Sequence, residues 1–191
     1  MNKKDNLLRS LIRESILQEA TMNLVPHADV VAAIDNAIRP ERLDISIPYF
    51  RELMIETATV ESGNMDGGKL YHNNEMAGDV RGVFQLSGIA LNQLRKPSVA
   101  KITKGKLEAS GAMQKKWSEQ TDAEIFGSLK MQAISACMYM MWAYYNLAGE
   151  PSLARASDRA NFWETYYNTS ADEKGTVAYF TDKLKELSMR A

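Results

Sequence analysis

Residues 128–147 read SLKMQAISACMYMMWAYYNL, and this stretch decides the fold class. Leu129, Met131, Ile134, Cys137, Met138, Met140, Met141, Trp142 and Tyr145 place apolar side chains on nearly every face of a helix. A helix that is apolar all round sits in the centre of a domain. Gly149 and Pro151 stop it. The rest of the chain is then expected to wrap around it.

The flanking segments fit that role. Asn23 to Pro26 reads as a connector. Ala28 to Ile38 has helical periodicity through Val31, Ile34 and Ala37 or Ile38, and stops before Pro40. Pro48 suits the first turn of a second helix, which runs through Phe50, Met54, Ala58 and Glu61 on one face. Gly63 is its expected stop. Asn64 to Arg81 is rich in Gly, Asn and Asp and reads as a loop or small irregular hairpin region. Val83 to Leu86 reads as a short strand and Ile89 to Leu94 as a helix. Lys96 to Lys106 is polar, and an amphipathic stretch follows to Glu119. A helix before Tyr166 and another from Gly175 to Leu187 complete a mostly α, α+β architecture.

A chain of 191 residues forms one main domain, here residues 23–191, and can bury a sizeable core. Residues 1–22 form an appended amphipathic helix, with Leu7, Leu8, Leu11, Ile12 and Ile16 at helical spacing. Arg9, Arg13, Glu14 and Glu19 interrupt the apolar run, so this start does not read as a secretory signal. With 23 basic and 24 acidic residues, bulk charge draws the chain neither to nucleic acid nor to anionic lipid. No basic stripe with interleaved aromatics marks a nucleic-acid module. No segment reads as a transmembrane span. The lone Cys137 allows no internal disulfide. His27, His72 and Cys137 are too few and too scattered for a zinc centre, and no Walker-type loop is present, so neither metal nor other cofactor is expected.

Two short stretches carry the chemistry. Glu61 closes the second helix on its apolar face, in the last turn, where the helix dipole is negative. Burial and the dipole both disfavour the carboxylate and raise its pKa. A carboxyl still protonated near neutral pH can donate a proton to a glycosidic oxygen. The competing reading is a helix-terminal Glu making a local hydrogen bond. In Gly82-Val83-Phe84-Gln85-Leu86, Gly82 permits a turn or a close approach, and Val83 and Leu86 face the core. Gln85 then presents an amide that both donates and accepts, as an amino sugar requires. The plainer alternative is a buried strand with one polar tooth.

Together these pieces resemble the lysozyme-like superfamily, above all its soluble lytic transglycosylase and goose-type lysozyme branch. The Glu-Ser block is similar to Glu61-Ser62-Gly63, and the Gly-x-x-Gln-hydrophobic block to Gly82 through Leu86. The late Tyr-Asn block with its Gly-x-Val-x-x-Tyr tail is similar to Tyr166-Tyr167-Asn168-Thr169 followed by Gly175 to Tyr179. The similarity spans roughly residues 48–187. Thr169-Ser170 stands where Ala-Gly is usual, and Tyr144-Tyr145-Asn146 is a competing match to the Tyr-Asn element. The resemblance implies a lysozyme-like fold that cleaves the β-1,4 bond between N-acetylmuramic acid and N-acetylglucosamine in peptidoglycan glycan strands. It implies Glu61 as general acid and base, Gln85 against the sugar at the cleavage site, and Tyr167 lining the cleft. Asn168 would hold the local turn and Ser62 would support the helix end at the substrate site.

Hydrolysis with inversion needs a second carboxylate. Asp66, Glu75 and Asp79 are the candidates, and Asp79, three residues before Gly82, could be aimed by the same turn, although it reads at least as well as a solvated loop acid or turn-former. The transglycosylases that the chain resembles need none, because one carboxyl serves as acid and then as base, and that route is slightly favoured over the lysozyme hydrolase because no second acid sits at a diagnostic position. The charge-broken start suggests a phage endolysin held in the host cytoplasm until holin release or a virion-associated lysin, with a bacterial enzyme exported otherwise as the runner-up, and the N-terminal helix is either a packed extra helix or an element that docks virion proteins. The alternative is a catalytically silent module of a phage virion, since fold does not guarantee activity.

Overall fold

The computed structural model describes residues 24–62, 65–66, 69–71, 80–96, 99, 117–168 and 176–188. It is mostly helical, as expected. The N-terminal helix of residues 1–22, the stop at Gly63 and most of the amphipathic stretch ending at Glu119 lie outside the described residues.

Strand β1 (Leu24–Pro26) leads directly into α1 (His27–Ile38). The segment expected as a connector is therefore paired: Leu24 opposes Tyr71 and Pro26 opposes Lys69 in β3 (Lys69–Tyr71). Strand β2 (Met65–Asp66) lies on the other side of β3, so β1 is an edge strand, where proline is tolerated. On α1, Val30, Ile34 and Ala37 are buried. Val31, expected in that stripe, is only half-buried, because a spacing of four and then three residues keeps a stripe on one helix face.

Helix α2 (Phe50–Glu61) begins after a turn at Pro48 and Tyr49, so Pro48 precedes the helix and does not form its first turn. Tyr49 caps it with a left-handed backbone, φ 61°. Phe50, Met54 and Ala58 are buried along one face, as read from the sequence. The helix ends at Ser62, whose N–H donates to the Ala58 carbonyl at 3.1 Å.

Strands β4 (Val80–Arg81) and β5 (Leu86–Ser87) form a second antiparallel pair. Ser87 then caps α3 (Gly88–Arg95), its Oγ accepting from the Ala90 N–H at 3.1 Å. After a 3-10 turn (Trp117–Glu119), α4 (Asp122–Phe126) starts with a capping box between Thr121 and Glu124.

Helix α5 (Leu129–Asn146) is the central element. Its residues 132–138 are all buried, as are Met140, Met141, Ala143 and Tyr144. Tyr145, read as part of the apolar body, is 43 % exposed, so α5 has one open edge near its C-terminal end. Helix α1 packs most extensively on α5, and α3 and α4 also rest on it. Helix α6 (Ala156–Phe162) continues into one π-helical turn (Trp163–Tyr167), and α7 (Val177–Ser188) returns to pack on α6 and α2. Among the described residues, no helix is long and apolar enough to cross a membrane.

Candidate active site

Glu61 is the last residue of α2, and the residue as a whole is partly exposed. The indole Nε1–H of Trp163 donates to its Oε1 at 2.8 Å. Burial is the main influence on the carboxyl and pushes its pKa up to about 7, while the indole hydrogen bond pulls the other way. The raised pKa expected from the sequence is therefore present, with desolvation as its leading cause.

Ser62 is buried, and its hydroxyl donates to the Thr59 carbonyl at 3.2 Å. It ties off the helix end beside Glu61.

The Gly82–Gln85 stretch is a turn, not the strand read from the sequence. The Gln85 N–H donates to the Gly82 carbonyl at 3.2 Å, closing a hairpin loop between β4 and β5. Positive φ at both ends (78° at Gly82, 47° at Gln85) reverses the chain, which an extended strand cannot do. Val83, Phe84 and Leu86 are all buried without alternation. Gly82 does make a close approach, to a side chain of the protein: a Cβ there would lie 2.4 Å from Gln132 Oε1. Gln132, buried on α5, accepts from the Val83 N–H at 3.0 Å and donates to the Phe126 carbonyl at 2.7 Å. The central helix thus pins the turn. Gln85 itself is half-buried, and its amide nitrogen donates to the Gly82 carbonyl at 2.7 Å.

The third part is the π turn. The Asn168 N–H reaches the Trp163 carbonyl at 2.8 Å, as in the wider π repeat. Trp163 thereby faces Glu61, and the Tyr167 hydroxyl donates to the Phe84 carbonyl. Tyr167 is held well above its ordinary pKa, first by burial and then by the nearby Glu61 charge, so it stays a neutral donor. Its ring meets Tyr139 edge-on at 5.9 Å, and Tyr139 in turn meets Trp142 at 5.7 Å. Both α5 aromatics are half-buried. Sequence reading grouped Glu61, the 82–85 segment and Tyr167, and Tyr167 is bonded to that segment through the Phe84 carbonyl and lies within electrostatic reach of Glu61. It missed Trp163, Tyr139 and Trp142. The i, i+4 spacing of Trp163 and Tyr167 was the available signal.

Five residues before Glu61 on the same helix, Glu56 binds Arg159 of α6 through two contacts, Nε to Oε2 at 2.7 Å and Nη2 to Oε1 at 2.6 Å. Arg159 also donates to the Leu153 carbonyl at 2.9 Å. This fork fastens the acid-bearing helix to the helix that leads into Trp163.

Asp66 lies in β2, whereas Glu75 and Asp79 fall outside the described residues. Cys137 is fully buried and its thiol is pushed to high pKa, so it stays protonated inside the core. Among the described residues, no group of three or more His, Cys, Asp or Glu is arranged to hold a metal ion. An open groove of about 580 Å³ lies on a different face of the α6–π segment, between Pro151, Asp158, Phe162 and Tyr166, and Glu61 does not line it. Chemistry rather than concavity therefore selects the Glu61 site. No protein-family model, curated protein or solved structure matches this chain.

Proposed function

We propose that the chain is a peptidoglycan-cleaving enzyme of lysozyme-like fold, with Glu61 as its general acid and then its base. The observation that carries this reading is a helix-end carboxyl held by the Trp163 indole at 2.8 Å and within electrostatic reach of Tyr167, where burial pushes its pKa up to about 7. A group half protonated at neutral pH can give a proton and take one back, which a single-carboxyl reaction requires. The half-buried rings of Tyr139 and Trp142 offer apolar faces of the kind that sugar rings stack on.

In the proposed reaction, Glu61 protonates the glycosidic oxygen between N-acetylmuramic acid and N-acetylglucosamine. The C1–O bond breaks, and the N-acetylglucosamine side leaves with its 4-hydroxyl restored. The muramoyl 6-hydroxyl then attacks C1 and gives its proton to the Glu61 carboxylate, which closes a 1,6-anhydro ring and regenerates the acid. Gln85 contributes amide contacts to the sugar at the cleavage point. This lytic transglycosylase route is favoured over hydrolysis because it assigns both proton transfers to one residue.

Mass spectrometry of fragments released from purified peptidoglycan tests the route. Anhydro-muramoyl ends are expected. Reducing ends, heavier by one water, would make the enzyme a hydrolase. Release of no glycan fragments would overturn the proposal.

A further inference from the structure

We propose that Trp163 is the positioning residue of the Glu61 carboxyl: its indole N–H fixes Oε1 as the acceptor oxygen and leaves Oε2 to carry the transferable proton, an assignment that rests on the reading of Glu61 as the proton donor. Indole nitrogen is a donor only. At 2.8 Å from Oε1 it requires a lone pair on that oxygen in both charge states of the acid. In the neutral acid the carbonyl oxygen is the better acceptor, so the hydroxyl falls on Oε2.

Trp163 is built to hold that line. It is 1 % exposed, and its ring packs against Phe180 of α7 at 5.0 Å. Its backbone opens the π turn that also sets Tyr167. The titratable groups around the carboxyl leave this role to the indole. Tyr167 commits its hydroxyl to the Phe84 carbonyl. Tyr139 and Cys137 of α5 lie near Tyr167, and burial keeps both neutral. On the helix of Glu61 itself, Glu56 is neutralised by Arg159. The indole also opposes burial, which keeps the acid from being locked in its protonated form.

The test replaces Trp163 in two ways within the full chain. Trp163→Phe removes the N–H and part of the ring. Site-specific replacement of Trp163 by benzothienylalanine keeps the bicyclic shape and removes only the N–H. Glu61 is titrated by carbon-13 NMR of glutamate-labelled protein, with Glu61→Gln assigning the signal, and peptidoglycan cleavage is followed against pH. Loss of a hydrogen bond to the charged form is expected to raise the Glu61 pKa by roughly one unit in both variants. The alkaline limb of the cleavage profile moves with it, and the maximal rate falls roughly tenfold or more. A benzothienylalanine protein that titrates and cleaves like the wild type would show that packing alone is at work and would overturn the assignment. Wild-type protein inert towards peptidoglycan would remove the proton-donor reading itself, and the assignment with it, whatever the titration gives.

Discussion

At Glu61 the proposed chemistry and the stability of the fold make opposite demands. The folded pKa of about 7 lies above the ordinary 4.5, so between those values the native state binds more proton than the unfolded chain. Stability therefore falls as pH rises through that window, and the loss is complete above about pH 7. A shift of that size corresponds to about 3 kcal/mol. Glu61→Gln keeps an acceptor for Trp163 and removes the charge. Urea unfolding at pH 5 and pH 8 is expected to show a variant with little dependence on pH and greater stability than wild type at pH 8. Identical pH dependence in the two proteins would count against a buried carboxyl. Gly82 is a second residue with a sharp requirement. An alanine there meets Gln132 and a φ of 78° together, so Gly82→Ala should cost about 2–4 kcal/mol. A midpoint close to that of wild type would contradict the close approach. Glu61 was legible in the sequence because an acid at a helix end shares a face with Phe50, Met54 and Ala58. Gln85 was only half legible: its residue type marked a polar contact, but no local signal announced a left-handed backbone at a non-glycine position.

Among the elements, the α6–π segment organises the site. One face fastens to α2 through the Glu56–Arg159 fork, and a turn later the same segment delivers Trp163 to Glu61. Arg159 is 8 % exposed, so removing it strands Glu56 with little water to replace the lost cation. Arg159→Met should destabilise the protein by about 2–3 kcal/mol, and adding Glu56→Gln should recover part of that loss. Simple additivity in this double-mutant cycle would show the two side chains to be uncoupled. Such long-range pairing was invisible in the sequence, where Glu56 and Arg159 are separated by most of the domain. The π turn was equally hidden, since Trp163 and Tyr167 at i, i+4 fit an ordinary α-helix. Strand β1 was misjudged because Pro26 looked like a connector residue, whereas an edge strand tolerates it.

Across the molecule, α5 is the axis on which the other elements are placed. It buries nearly every face, pins the 82–85 turn through Gln132 and presents Tyr139 towards Tyr167. That role was readable because a run without a polar face has only one stable location, inside the domain. Its open edge at Tyr145 was not readable, because exposure at a helix end depends on which neighbours stop short of it. The central claim is that all this scaffolding serves one proton donor at the end of α2. It is tested most directly by comparing wild type and Glu61→Gln for cleavage of purified peptidoglycan at neutral pH, with circular dichroism confirming equal folding. The account predicts loss of at least about a hundredfold in rate for the folded variant. A folded Glu61→Gln protein that cuts at the wild-type rate would contradict it.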